Sequence, residues 1–406
     1  MRPEPSQAVA PFIALGRSLD AAFRRINYAD DAFSGLATEH LERAGLHESF
    51  DLRELARWAL LTSDLPQQAD LLAEFGQPPL TLWNGRRFHI ALLVWRNSTT
   101  TIHQHAFAGA FQVLQGGSMH TRYAFEPSCW LTEELGFGAL RCLGSERLVR
   151  GDVRPIESAA GGIHALFHLE HPSVSLVVRT HTDKRQAIQY DYDHPGVAKN
   201  PFRSDPQQVR ALQLARMLLR TDRAAAEELL DEYLEQATVA DAFEHLDRLA
   251  GAGEYTLAQR LLRRIEGRFA GFAEQVEAAL SGIHRTNFLV GKRDAVREPE
   301  LRYFLAILLN APNAQEVRRL ASAFAPERAP GETLTTWLES LSKVKLKLQA
   351  GGLPWEPNIF GLPEPDAASL SLLRRALSGE ALEPDQSTPF FRAVRADPIF
   401  APLFRE

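Results

Sequence analysis

Two histidines separated by a single residue, His103 and His105, are the part of this chain best suited to chemistry. They stand at the start of a β-rich segment, and in an extended strand side chains two residues apart point to the same face. Two imidazoles that enter one interior form half of a metal site, and imidazole suits iron, copper, nickel and zinc. A third histidine, His164, follows two glycines in a later strand-like segment. The sequence therefore predicts a metal ion held by His103, His105 and His164.

The glycines around these histidines resemble the two sequence motifs of the cupin superfamily. In the first motif, H-x-H is followed by three or four residues, a Glu, six residues and a Gly. Here Gly109 occupies the Glu position and Gly116 is the closing glycine. In the second motif, Gly161 followed after two residues by His164 fits the pattern. The resemblance implies a cupin-type β-barrel, a jelly roll.

The absence of the motif's Glu leaves three neutral ligands, which is similar to the thiol-dioxygenase branch, the cysteine dioxygenase-like proteins. The runs Phe88–Trp95, Val113–Gly116 and Val174–Leu176 also resemble that branch. The resemblance covers residues 80 to 182. It implies Fe(II), a substrate whose sulfur and amine bind the iron, and dioxygen as the second substrate. Because histidine triads accept several divalent ions, nickel, zinc and manganese are retained as alternatives.

Arg179 is the first of two candidate catalytic residues. Strand alternation places it on one face with Ser175 and Val177. By the resemblance, the His and the Tyr that the family places beside its metal ligands correspond to Val177 and Arg179, so cysteine itself is not specified as the substrate. A guanidinium offers a bidentate fork to a carboxylate or phosphate, and we expect Arg179 to hold an acidic group of the substrate. The alternative is a structural ion pair with Glu170 or Asp183.

His168 is the second candidate catalytic residue. It lies four residues after His164 on the same predicted strand face. It is expected either to orient a metal ligand through a hydrogen bond or to be a buried core histidine. His120 and Arg122, on another strand, are interpreted as a solvent-exposed polar face.

Composition narrows the classes of function. Hydrophobic residues make up 45% and charged residues 24%, as in ordinary globular proteins. A net charge of −6 argues against nucleic acid as the main partner. Two cysteines are too few for a disulfide framework, and no run of residues is apolar enough for a membrane helix. We therefore expect a cytoplasmic protein without a membrane or nucleic-acid partner. The oligomeric state is left open, with a homodimer among the options.

Periodicity divides the chain into four parts and predicts an α+β protein. Residues 1–78 show helical periodicity, with Asp51 as an expected N-cap. Short strands separated by glycine-rich turns follow in residues 79–182, the predicted barrel with the metal site. Residues 183–204 are expected to be a linker with little regular structure. Residues 205–406 are predicted to form a large α-helical domain.

These features favour a non-heme Fe(II)-dependent oxygenase that acts on a small anionic molecule carrying a carboxylate, a thiol or both. Two alternatives remain open. The barrel could be a metal-binding or sensing module whose helical domain is a protein-interaction scaffold. It could also be a non-redox metal enzyme, an isomerase or hydrolase. The sequence leaves the purpose of the helical domain unassigned.

Overall fold

The computed structural model describes residues 5–69, 76–96, 99–181, 188–202, 205–345, 358–383 and 386–406. In these ranges, N-terminal helices are followed by a β-region and then by a large helical region. The predicted fold class, α+β with a cupin-like barrel between helical segments, is confirmed.

The helices fall into two groups, one before the strands and one after them. The first group is α1 (Pro5–Arg25), α2 (Phe33–Ala44) and α3 (Leu52–Leu61). The second is α4 (Pro206–Thr221), α5 (Arg223–Gln236), α6 (Val239–Gly251), α7 (Tyr255–Ile265), α8 (Ala273–Lys292), α9 (Pro299–Asn310), α10 (Ala314–Phe324), α11 (Pro330–Lys343), α12 (Ala367–Leu377) and α13 (Pro389–Ala396). Asp51 caps α3 as expected, because its carboxylate accepts hydrogen bonds from the amides of Arg53 and Glu54.

The strands are β1 (Pro79–Asn84), β2 (Phe88–Trp95), β3 (Ile102–His105), β4 (Gly109–Gln115), β5 (Ser118–Thr132), β6 (Leu135–Leu148), β7 (Val153–Ile156), β8 (Ala159–His168), β9 (Ser173–Thr180), β10 (Asp191–Asp193) and β11 (Val197–Lys199). Within the described ranges they form a sheet of order β1-β2-β9-β4-β7 and a closed barrel of order β10-β11-β6-β5-β8-β3. Every pairing within these sheets is antiparallel.

Strand alternation gives the five-stranded sheet two different faces. On β2, His89, Ala91, Leu93 and Trp95 point into a cavity between this sheet and the barrel. On β9, Ser175, Val177 and Arg179 point into the same cavity, so the face predicted for these three residues is confirmed. The residues between them point the other way, into the core under the N-terminal helices. This period of two fixes which side chains can reach the site.

The N-terminal helices cover the outer face of the five-stranded sheet. Leu15, Leu19 and Phe23 of α1 recur at helical spacing and are buried. They pack in one core with Ile90 of β2 and Leu176 of β9. The helices thus exclude water from the back of the strands that line the cavity.

The C-terminal helices share apolar cores with the barrel. Met119 and Phe167 of the barrel pack with residues of α9 to α13. Phe137 of β6 packs with residues of α5 to α8, and its ring stacks on Phe272 at 4.8 Å between centroids. The purpose of this region was not predicted from the sequence. The structure shows that one of its roles is to bury the outer surface of the barrel.

The segment expected to be an irregular linker contains two short strands that belong to the barrel. β10 pairs with β3, which places Asp191 opposite His103, and β11 pairs with β6. Pro195 and Gly196 suggested a loop, but the three-residue strands beside them are too short to show a periodic pattern. The parts of this segment at 183–187 and 203–204 lie outside the described residues.

None of the helices in the described part of the chain combines the length and the hydrophobicity needed to cross a bilayer.

We predict that Phe137→Ala lowers the free energy of unfolding by about 3–5 kcal/mol, because the ring is fully buried between the barrel and the helical region. Urea unfolding followed by circular dichroism measures the change. Leu143→Ala on the same strand is the control, since Leu143 is 51% exposed and should cost less than about 0.5 kcal/mol. Equal effects of the two substitutions would contradict the tight packing of the helices on the barrel.

Candidate metal centre

Two neighbouring strands of the barrel, β3 and β8, bring the three predicted ligands together. His103 and His164 are direct cross-strand partners, and the register shifts between His103 and His105. One nitrogen from each of His103, His105 and His164 lies within 4.8 Å of the other two. The structure therefore brings together the residues that the sequence singled out as metal ligands.

The spacing of the ring nitrogens fits a metal ion. Nε2 of His105 and Nε2 of His164 lie 2.9 Å apart. Two ligands at right angles, each about 2.1 Å from an ion, are separated by about 3 Å. The Nδ1 atom of His103 donates a hydrogen bond to the carbonyl oxygen of Thr101 at 2.9 Å, which leaves the lone pair on Nε2. All three rings can thus present Nε2 to one ion.

Desolvation keeps the three imidazoles neutral. Desolvation, assisted by the neighbouring His120, lowers the pKa of His103 to about 4. Desolvation, followed by repulsion from neighbouring histidines, lowers the pKa values of His105 and His164 well below 6.5. A metal ligand must be deprotonated, so this cluster meets the requirement at neutral pH without losing protons.

Gly109 explains why no carboxylate completes the set. A Cβ atom at this position would lie 2.1 Å from the carbonyl oxygen of Val178 and 2.9 Å from Cα of Arg179. The close approach of β4 to β9 therefore excludes every side chain, including the Glu of the cupin motif. Among the described residues that line the cavity there is no Asp or Glu.

The three histidines lie at the wall of a cavity of about 500 Å³ between the five-stranded sheet and the barrel. Most of the surrounding side chains are apolar: Ala91, Leu93, Trp95, Phe107, Phe111, Ile156, Leu166, Val177, Ile188 and Phe202. Polar groups come from His89, Thr100, Ser175, Arg179, Gln189 and Asn200. A largely apolar cavity with a few polar groups is the usual form of a small-molecule site.

Arg179 lies in the cavity wall, as its strand position predicted. Its Nε donates a hydrogen bond to Nε2 of His89 at 3.0 Å, and its guanidinium lies 4.2 Å from the centre of the Phe107 ring. Burial lowers the pKa of Arg179 to about 10, so the group remains a cation at neutral pH. Of the alternative ion-pair partners, Asp183 lies outside the described residues.

His168 is buried behind the cavity wall. Its ring stacks on that of Trp95, with centroids 4.4 Å apart and planes 18° from parallel. Burial, assisted by the charge of Arg293, lowers the pKa of His168 to about 3. The Nδ1 atom of His164 is approached instead by His120. A catalytic role for His168 stays a prediction.

His120 was interpreted as part of a solvated face, and this was wrong. It is 3% exposed, and its Nε2 lies 2.9 Å from Nδ1 of His164. Arg122, two residues further on, is exposed as expected. Alternation of polar residues on β5 suggested one exposed face, but the first four residues of β5 are all buried and exposure begins at Arg122. The neighbouring buried positions, such as Met119, were the available signal.

No protein-family model matches this chain, and no curated protein does. Among solved structures, hydroquinone 1,2-dioxygenase from Sphingomonas sp. TTNP3 is 14% identical over 26% of this chain and 66% of its own, just under two thirds, with a TM-score of 0.21. The DMSP lyase DddQ from Ruegeria pomeroyi DSS-3 is 18% identical over 34% of this chain and 72% of its own length, with a TM-score of 0.20. A chain from the structures of the DMSP lyases RdDddP and RnDddQII is 13% identical over 44% of this chain and 95% of its own length, with a TM-score of 0.25. Similarity at this level does not assign an activity.

We predict that Gly109→Ala lowers the free energy of unfolding by about 1–3 kcal/mol, because the new methyl group would force β4 away from β9. Urea denaturation measures the loss. Gly35→Ala in α2 is the control, since its added methyl group meets nothing within 4 Å and alanine favours a helix by about 0.5–1 kcal/mol. A stable Gly109→Ala protein would show that the two strands can separate and admit a side chain.

Proposed function

We propose that this protein is a metal-dependent oxygenase that uses iron(II) held by His103, His105 and His164. The observation that carries the proposal is the convergence of three neutral imidazoles at the wall of an apolar cavity, with no carboxylate among the described lining residues. When bound there, iron(II) would keep its full charge and have coordination positions open to dioxygen and to an anionic substrate.

The cavity supports a small anionic substrate with an apolar body. Arg179 is a largely buried cation that lies among apolar side chains in the cavity wall. A carboxylate within reach of the guanidinium would form charge-assisted hydrogen bonds with it. The apolar body would contact Trp95, Phe107 and Phe111. A thiol on the same substrate would be free to reach the histidine cluster.

The residues of the chain have separate tasks in this proposal. Arg179, braced by His89 and Phe107, orients the acidic end of the substrate. The aromatic wall keeps water from the reacting atoms. His168 supports that wall from behind through its stacking on Trp95, and we assign it a positioning role.

The test of the oxygenase proposal is anaerobic loading with iron(II) followed by oxygen-electrode assays on a panel of carboxylates and thiols. We expect one equivalent of iron per chain and substrate-dependent oxygen uptake. His164→Ala should lose both, because two imidazoles remain where three are needed. His284→Ala, a histidine of α8 outside the site, should keep both.

Two outcomes would contradict the proposal in different ways. A protein that binds no iron would show that the histidines form a hydrogen-bonded cluster only. A protein that binds iron stoichiometrically but consumes no oxygen with any member of the panel would exclude the oxygenase. It would then favour the non-redox alternative, with zinc, nickel or manganese as the metal to test.

The role of Arg179 can be measured without turnover. We predict that Arg179→Met weakens binding of 3-phenylpropionate to the metal-loaded protein by about 10–100-fold, since hydrogen bonds to charged groups are worth about 1.5–3 kcal/mol. Calorimetry gives the affinity. Binding of the neutral 3-phenylpropanol should change little, and Arg122→Met, at an exposed position, serves as the control variant. Equal losses for the acid and the alcohol would contradict an ionic role.

A further inference from the structure

A line of hydrogen bonds leads from the metal ligand His164 to the surface of the barrel. Nδ1 of His164 lies 2.9 Å from Nε2 of His120, and Nδ1 of His120 lies 3.1 Å from Oε1 of Glu146. Arg154 donates two hydrogen bonds to the same carboxylate, from Nε to Oε1 of Glu146 at 2.9 Å and from Nη2 to Oε2 at 2.7 Å. The four side chains come from β8, β5, β6 and β7.

The direction of these hydrogen bonds follows from the carboxylate at the outer end. Hydrogen bonds from His120 and Arg154 hold the pKa of Glu146 well below its usual range, so the group is ionised and only accepts. Nδ1 of His120 must then donate to Glu146. With its proton on Nδ1, the imidazole of His120 has its lone pair on Nε2, and Nδ1 of His164 is the donor to that lone pair. This leaves the lone pair of His164 on Nε2, the atom that faces His105.

We propose that His120, Glu146 and Arg154 are positioning residues that fix His164 as the Nδ1–H tautomer and hold its Nε2 toward the metal. The inference rests on the proposed metal site and names what supports its third ligand. Such partners of a ligating histidine fix the ring's orientation and raise its basicity, and their loss weakens metal binding by about 10–100-fold.

The histidine cluster explains why the third ligand needs this support. His103 is fixed by the backbone carbonyl of Thr101, which no substitution of a side chain removes. His164 has no such backbone partner among the contacts of the described residues, and its Nδ1 depends on His120. His120 in turn is buried, so a water molecule could not easily take its place. The orientation of one ligand therefore depends on a charged pair near the surface.

The first experiment measures metal affinity. Apo-protein is titrated with cobalt(II) in competition with a chelator, for wild type, His120→Phe, His120→Gln and Glu146→Gln. We expect His120→Phe to raise the dissociation constant by about 10–100-fold. In His120→Gln the new side chain can accept a hydrogen bond from His164 through its carbonyl and donate one to Glu146 through its NH2 group. The cobalt affinity of His120→Gln should therefore lie between those of wild type and His120→Phe. Glu146→Gln keeps an acceptor but loses the charge, and a smaller loss is expected.

The matched control is Glu126→Ala. Glu126 is also a carboxylate on the β5–β6 hairpin and also pairs with an arginine, Arg141 at 2.9 Å, but both side chains are exposed and neither contacts a histidine. Its removal should leave cobalt affinity unchanged. An equal loss in Glu126→Ala would overturn the proposal, because the effect would then come from the hairpin rather than from the hydrogen-bonded line.

The second experiment reads the tautomer in apo-protein by nitrogen-15 NMR of the histidine rings. We expect the proton of His164 on Nδ1 in wild type and in His120→Gln, whose carbonyl still accepts it, and a shift toward the Nε2–H form in His120→Phe and, to a smaller extent, in Glu146→Gln. A wild-type His164 protonated on Nε2 would overturn the proposal even if His120→Phe did not fold. A merely structural role of these residues would leave the tautomer unchanged.

The two proposals fail in distinguishable ways. If wild type binds no cobalt, the metal site and this inference fall together. If wild type binds cobalt and His120→Phe binds it equally well, only the inference is overturned. Cobalt affinity does not depend on the substrate or on oxygen, so failure to find an oxygenase substrate leaves the result intact.

Discussion

The exclusion of water from three imidazoles is the constraint on which this structure depends. His103, His105 and His164 are neutral because desolvation lowers their pKa values, and a neutral imidazole offers the lone pair that a divalent ion requires. Burial of this depth needs two sheets face to face, each with its own outer surface covered. The N-terminal helices cover one sheet and the C-terminal helices cover the other.

The charged groups of the site are placed where this dry interior can tolerate them. Arg179 faces the cavity and is braced by an imidazole and an aromatic ring. Glu146 and Arg154 lie at the partly exposed rim, where an ion pair keeps contact with water. Between these zones the buried ring of His120 connects His164 to Glu146 through its two nitrogens. The surroundings of the site thus change from apolar at the histidine cluster to hydrated at the ion pair of Glu146 and Arg154.

Much of the site was predictable because its residues are close in sequence and follow the period of a strand. H-x-H places His103 and His105 together, and alternation on β9 places Arg179 in the cavity wall. The missing carboxylate was also predictable, since Gly109 stands in the motif's Glu position, and the structure adds the steric reason. Strand β2 coincides with Phe88–Trp95, one of the runs that carried the resemblance.

The rest depended on contacts between distant segments, which periodicity does not reveal. His120 looked like a surface residue because its importance comes from His164, 44 positions away. The helical region was expected to be a separate domain, and its shared cores with the barrel could not be read from the sequence. The short strands β7, β10 and β11 have three or four residues each, too few for any pattern.

The ribbon of β10 and β11 has a consequence for how this protein can be divided. It closes the barrel between β3 and β6, and Lys199 on it pairs with Asp193 and reaches Asp247 of α6 at 3.0 Å. A fragment ending at residue 182 would lack this ribbon and leave the edge of β3, which carries two of the histidines, without its neighbour. The barrel that carries the histidines therefore cannot be separated at residue 182, because the strands that close it come from the segment that leads into the helices.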